Sequence, residues 1–171
     1  MRCVSDPPPF DRMMSAYLFE GPVKDIIHSF KYADATYHKK YLARALFDII
    51  KEEGLSCDLV TFVPLHWARM ISRGYNQAAL IAGELAGMLG IRLSYDALKK
   101  TRVTLPQVGL RKHERKKNIR GAFIASGVQD KAVMVVDDVV TTGQTAREVS
   151  SALKKSGASY VLFLSVGRII S

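Results

Sequence analysis

The chain has only two cysteines, Cys3 and Cys57. Neither has a nearby Cys or His at zinc spacing, so no disulfide framework and no zinc site are expected, and a reducing, cytoplasmic setting is the default. Long apolar runs are missing too. The longest, Tyr160 to Val166, has the length of a strand, so no membrane span is expected. The segment from Met1 to Arg12 carries three prolines and no apolar centre, which argues against a signal peptide. No Gly-Lys dipeptide occurs, which excludes a Walker phosphate loop, and no Gly-x-Gly-x-x-Gly occurs either. Acidic residues are scarce: 16 Asp and Glu stand against 25 Lys and Arg, a net charge of +9. Such a balance points to an anionic partner.

What is present is a globular composition. The 171 residues are 48% hydrophobic and 24% charged, enough to bury one core and too apolar for a disordered chain. The positive charge is concentrated. Nine Lys and Arg lie between Lys99 and Arg120 against one acid, Glu114, so this stretch carries +8 of the net charge. With Pro106, Gly109 and little apolar periodicity, it reads as a long loop leading into a short strand, Ala122 to Ala125. Charge alone allows a solvated loop, a helix face around His113 to Asn118, or an arm that closes on a polyanion.

Periodicity predicts the elements. Pro7, Pro8 and Pro9 exclude helix from the lead-in. Val23, Ile26, Ile27 and Phe30 share one helical face, and Leu42, Ala45, Leu46, Ile49 and Ile50 share another, ending near Gly54. Leu59 to Val63, Val133 to Val136 and Tyr160 to Val166 are apolar enough to be buried strands. Asn76 to Leu89 and Thr145 to Lys155 are helices closed by Gly90 and Gly157. Strand and helix in alternation give an α/β domain with a parallel sheet covered on both faces.

The chemistry concentrates in Val133 to Thr145. An apolar strand delivers Asp137 and Asp138 to its C-terminal end, the edge of an open α/β sheet where ligands bind. Adjacent carboxylates accept hydrogen bonds from a cis-diol or bind a metal-bound hydroxyl pair. Thr141-Thr142-Gly143-Gln144-Thr145 then opens a helix, where free N–H groups, hydroxyls and a close backbone approach at Gly143 make a phosphate cradle. Diol acceptors followed by a phosphate cradle describe a ribose 5-phosphate site. In a second loop, Pro64 to Gln77, Arg69 and Arg73 present planar donor forks suited to a diphosphate. His66 is either a further diphosphate contact or a solvent-exposed loop residue.

The run from Asp137 to Thr145 closely resembles the motif with which type I phosphoribosyltransferases bind 5-phosphoribosyl 1-diphosphate (PRPP). Pro64 to Gln77 resembles the pyrophosphate loop of the ComF/GntX-like branch. Phe30-Lys31-Tyr32 resembles its N-terminal element, and Thr101-Arg102, Gln107, Leu110, Arg115, Asn118, Gly121 and Phe123 resemble its flexible loop. The resemblance runs from about Tyr17 to Gly167. Members of this branch usually begin with a four-cysteine zinc module. Here only Met1-Arg2-Cys3 through Pro9-Phe10-Asp11 resembles its tail, so either the chain begins inside a longer protein or it lacks the module.

The resemblance implies a type I phosphoribosyltransferase fold: a mainly parallel sheet flanked by helices, a small N-terminal hood and a flexible basic loop. It implies one domain over 1–171, with an extended lead-in at 1–16, a hood with helices near 17–55 and a PRPP-binding core near 56–171. Asp137 and Asp138 would be catalytic. With Val139, Thr141, Thr142, Gly143, Gln144 and Thr145 they would hold the ribose and 5-phosphate, and Leu65, His66, Arg69 and Arg73 the diphosphate. Arg102, Gln107, Arg111, Lys112, Arg115, Lys116, Lys117 and Asn118 would form the closing loop. Mg²⁺ would come with PRPP, with Asp137 and Asp138 behind it rather than as direct ligands. The implied activity is that of a pentosyltransferase, moving a phosphoribosyl group to a nitrogen acceptor with release of diphosphate, with a link to competence and DNA uptake. The alternative is a non-catalytic component that binds single-stranded DNA or DNA-uptake proteins and uses PRPP as a regulator. A homodimer is a prior from relatives and nothing more.

Overall fold

Two nine-residue strands, β6 (Ala132–Val140) and β7 (Tyr160–Arg168), form the centre of the sheet. Their apolar runs are covered on both faces, as a parallel sheet between layers requires. The computed structural model describes residues 7–32, 36–65, 70–71, 74–102 and 121–170. Five parallel strands follow the order β1-β7-β6-β2-β3, with β1 at Arg12–Leu18, β2 at Leu59–Phe62 and β3 at Arg92–Leu93. A separate antiparallel pair joins β4 (Leu98–Lys100) to β5 (Phe123–Ala125).

Strand alternation sorts the core into two layers. Val60, Phe62, Met134, Val136, Leu162 and Leu164 face helices α1 (Gly21–Tyr32), α2 (Lys39–Glu52) and α3 (Gln77–Leu89). Leu59, Val133, Val135, Val161 and Phe163 face α4 (Gln144–Lys155) and the β4–β5 pair. The expected helical faces do this work: Ile27 and Phe30 on α1, Leu42, Leu46 and Ile50 on α2, and Val149 and Leu153 on α4 are buried. Gly90 ends α3 in the left-handed region at φ 67°, the conformation that favours glycine at a helix end.

From β2 the chain crosses through α3 on one face to β3. From β6 it crosses through α4 on the other face to β7. β2 and β6 are neighbours, so the direction of winding reverses between them. In open α/β sheets the carboxyl edge at such a reversal is where ligands bind.

Three features differ from the expectation. Residues 12–16, read as lead-in, belong to β1, which pairs with β7 from Arg12↔Leu162 to Leu18↔Arg168. β6 does not stop at Val136; it carries Asp137 and Asp138 inside the strand and ends at Val140. The basic stretch joins two strands, since Leu98–Lys100 pairs with Phe123–Ala125.

Candidate functional site

The turn read as a phosphate cradle stands at the end of β6. Gly143 takes φ 71°, a left-handed conformation, and becomes the N-cap of α4 with no side chain capping the helix. The first helical N–H groups of α4 therefore face outward with a positive dipole end behind them. A Cβ built on Gly143 would meet no protein atom within 4 Å, so the glycine serves the left-handed turn and keeps the cradle mouth open. Thr141 and Thr142 are exposed, while Gln144 and Thr145 are half-buried in the first turn. Gln144 donates from Nε2 to Glu148 Oε1 at 3.0 Å. A cavity of about 280 Å³ opens beside this turn, lined by Thr141, Thr142, Gly143, Val140, Met13 and Arg168 among others.

Asp137 and Asp138 are half-buried below the cradle. The Asp138 N–H donates to Asp137 Oδ1 at 2.8 Å, which orients the first carboxylate. Asp137 is in register with Ser165, and Ser165 with Ser15, whose hydroxyls lie 2.6 Å apart. This polar row runs through a sheet that is otherwise apolar at its centre.

The second loop leaves β2, the neighbour of β6 in the sheet. Asn76 clamps its two ends. Its Nδ2 donates to the Val63 carbonyl at 3.0 Å, and its Oδ1 accepts from the Ala79 N–H at 3.3 Å as the N-cap of α3. Asn76 is buried, at 7% exposure, and its bond to Val63 is made away from water. Gly74 turns the chain at φ 74°. Tyr75 donates its hydroxyl to the Phe30 carbonyl at 2.6 Å, with Gln77 Nε2 donating to the same oxygen at 3.4 Å. The end of α1 is thereby tied to the start of α3.

The basic stretch is anchored at both described ends. The Thr101 N–H donates to the Ala122 carbonyl at 2.9 Å. The Gly121 N–H donates to Glu148 Oε2 at 2.9 Å, on the same carboxylate that holds Gln144. Glu148 thus joins the returning end of the loop to the first turns of the cradle helix.

No family model matches the chain. Individual proteins do. DNA utilization protein YhgH from Escherichia coli O6:H1 is 33% identical over 166 residues, covering 94% of this chain and 73% of that protein. Competence protein F from Haemophilus influenzae is 30% identical over 168 residues, covering 93% and 73%. The chain belongs to the ComF family. Among solved structures, glutamine phosphoribosylpyrophosphate (PRPP) amidotransferase from B. subtilis superposes with a TM-score of 0.51 at 23% identity. That match covers 75% of this chain and 26% of the amidotransferase. The ComF chain has the type I phosphoribosyltransferase fold.

In this ComF chain Asp137, Asp138, Val139, Thr141, Thr142, Gly143, Gln144 and Thr145 form one continuous strand–turn–helix unit. Leu65 lies half-buried just past β2, and Arg102 is exposed at the base of the β4–β5 pair. His66, Arg69, Arg73, Gln107, Arg111, Lys112, Arg115, Lys116, Lys117 and Asn118 lie outside the described residues. Sequence reasoning did not assign Glu148, Arg168 or the Asn76–Val63 bond. Glu148 and Arg168 had no motif to mark them, and the Asn76 link joins residues 13 apart whose proximity only the fold creates.

Proposed function

We propose that the chain binds PRPP at the carboxyl edge of β2 and β6 and acts as a phosphoribosyltransferase-like protein. The observation that carries this is the unit from Asp137 to Thr145, two carboxylates followed at once by an uncapped, glycine-opened helix start at the switch point of the sheet. The carboxylates would accept the ribose hydroxyls. The N–H groups and hydroxyls of residues 141–145 would hold the 5-phosphate. Arg69 and Arg73 would bind the diphosphate as it leaves.

In the transfer, the bond from C1 to the diphosphate oxygen breaks and a nitrogen of the acceptor bonds to C1. The electron pair leaves with the diphosphate, and the ribose passes through a cation-like state. The work of the protein is to hold both ends of PRPP, receive the departing negative charge and keep water from C1. The basic arm from Lys99 to Arg120 is suited to the last two tasks, closing as a lid. Magnesium fits this donor set. It prefers oxygen ligands and is held by one or two carboxylates together with substrate phosphates. Here the direct oxygens would come from PRPP, with the Asp137 and Asp138 carboxylates behind them; among the described residues no group of three or more metal-ligating side chains lies together. When bound, the ion would neutralise the leaving diphosphate as a Lewis acid.

Calorimetric titration of PRPP with Mg²⁺ tests the proposal. Saturable binding by the wild type, lost in Asp137→Asn/Asp138→Asn, is the expected result. A folded wild type that does not bind would overturn it.

A second reading is favoured by the names of the relatives, a DNA utilization protein and a competence protein, and by the +8 charge of the arm. In it the chain handles single-stranded DNA during uptake, with PRPP as a regulator. Steeply salt-dependent DNA binding that vanishes in Lys112→Gln/Lys116→Gln/Lys117→Gln supports it. Unaltered PRPP binding in the same variant separates the two roles.

A further inference from the structure

Helix α2 buries Leu42, Ala43, Leu46 and Ile50 against the sheet. Its other side carries Lys40, Tyr41, Arg44, Asp48 and Lys51, and Tyr37 precedes it by one turn. Tyr37 is 68% exposed and Tyr41 76%, so two large rings a helical turn apart stand in water. Neither contributes to the core. The Tyr37 ring lies 4.2 Å from the His38 ring, which extends the aromatic surface.

The charges around these rings are mainly positive. The first turn of α2 has two lysines, Lys39 and Lys40, and no acid, although a cation there is repelled by the helix dipole. Lys39 pairs with Glu84 on α3 at 3.0 Å. Arg44 pairs with Asp48 at 2.8 Å and stacks over Phe47, 5.3 Å from its centroid, with Lys51 on the same ring at 5.5 Å. The acids of α2, Asp48 and Glu52, lie in its second half, away from the tyrosines.

We propose that the stripe of Tyr37, Lys40, Tyr41 and Arg44 is a contact surface for single-stranded nucleic acid. Exposed bases stack on aromatic faces without regard to sequence, and neighbouring cations follow the phosphates. Duplex bases are already stacked and offer no such face. The position agrees with this. α2 ends beside the start of β1, where Arg12 pairs with Glu53, so its first turn points toward the ligand-binding edge of the sheet. A strand lying on the stripe would run toward that edge, where Gly121 is held by Glu148 of the helix after β6. The proposal rests on the DNA-handling reading and gives that reading a surface separate from the arm.

Fluorescence anisotropy with a labelled oligothymidylate and a labelled oligouridylate tests it. Tyr37→Ala/Tyr41→Ala is expected to weaken binding about tenfold or more, with PRPP binding and melting temperature unchanged. Tyr37→Phe/Tyr41→Phe, which keeps the rings, is expected to bind like the wild type. Lys40→Gln/Arg44→Gln should lower the salt slope. Equal losses on both oligomers assign single strands in general, and a loss on oligothymidylate alone assigns DNA. Wild-type affinity in the double Ala variant overturns the stripe; if the Lys112→Gln/Lys116→Gln/Lys117→Gln variant then loses binding, the DNA-handling reading stands without it. A wild type that binds neither oligomer ends both. Sedimentation showing a wild-type dimer that the double Ala variant cannot form would make the rings an interface between copies, and would also overturn the proposal.

Discussion

Asn76→Ala should unfold the chain more easily by about 3 kcal/mol. Two losses make up this figure. The cap bond from the Ala79 N–H is worth about 1 kcal/mol. The buried Val63 carbonyl loses the Asn76 Nδ2 donor, which costs about 1–3 kcal/mol because no water reaches it. For a chain of this size each kcal/mol lowers the melting temperature by about 2–4 °C, so a drop of roughly 6–12 °C is expected. Urea unfolding gives the free energy directly, and an unchanged slope keeps the comparison valid. Asn76→Ser separates the two losses, since serine caps a helix but cannot reach Val63. It should cost about 2 kcal/mol or less. An Asn76→Ala variant within about 0.5 kcal/mol of the wild type would refute the clamp. A Ser variant as damaged as the Ala variant would show that the cap contributes nothing.

Tyr75→Phe removes the hydroxyl bond to the Phe30 carbonyl and should cost about 1 kcal/mol in the same urea assay, with a larger loss arguing for a second partner. Gly143→Ala meets no protein atom, so its cost is the left-handed backbone, about 1–2 kcal/mol; PRPP affinity should fall by more than that, because the new methyl group stands in the cradle mouth. At Asp11, burial raises the carboxyl, but Lys154 and the Val161 N–H, both at 2.7 Å, pull harder and leave it below the ordinary aspartate value. Its stabilisation is complete at neutral pH and lost in acid, as pH falls through the lowered value; Asp11→Asn should be less stable than the wild type by under ~1 kcal/mol at neutrality, and the gap should close on acidification. Burial, then the Asp58 carboxylate, pushes the Cys57 thiol up to about 11. Two units leave ~100-fold less thiolate, so alkylation of Cys57 in a Cys3→Ser variant should be slower than that of a free thiol by about that factor.

Helices α1 to α4 were legible because each carries a buried stripe at helical spacing, and α3 also carries its cap residues, Asn76 and Gly90. The central strands were legible because both their faces are buried. β1, β3 and β4 were not. Arg12–Leu18 is a half-exposed edge strand behind three prolines, Arg92–Leu93 has two residues, and Leu98–Lys100 has one apolar residue followed by two lysines. Their strand character comes from partners far along the chain, which no local window holds. β6 was cut short for a different reason: Asp137 and Asp138 interrupt the apolar pattern, while the backbone goes on pairing with β7 to Arg168. The strand–turn–helix unit from Asp137 to Thr145 was legible from residue types alone. The Glu148 bonds beside it, and the Asn76 and Tyr75 bonds at the second loop, belong to residues whose partners the fold supplies.

The Thr101–Ala122 closure bears on how long the stretch between those residues can be. Among the described residues, the stretch begins and ends on the β4–β5 pair, and its returning end is held further by the Gly121–Glu148 bond. Loop closure becomes more costly only with the logarithm of loop length, so doubling the stretch between these fixed ends would cost about 0.6 kcal/mol. The pair can therefore accept a longer or shorter connection while its register from Leu98 to Lys100 stays the same.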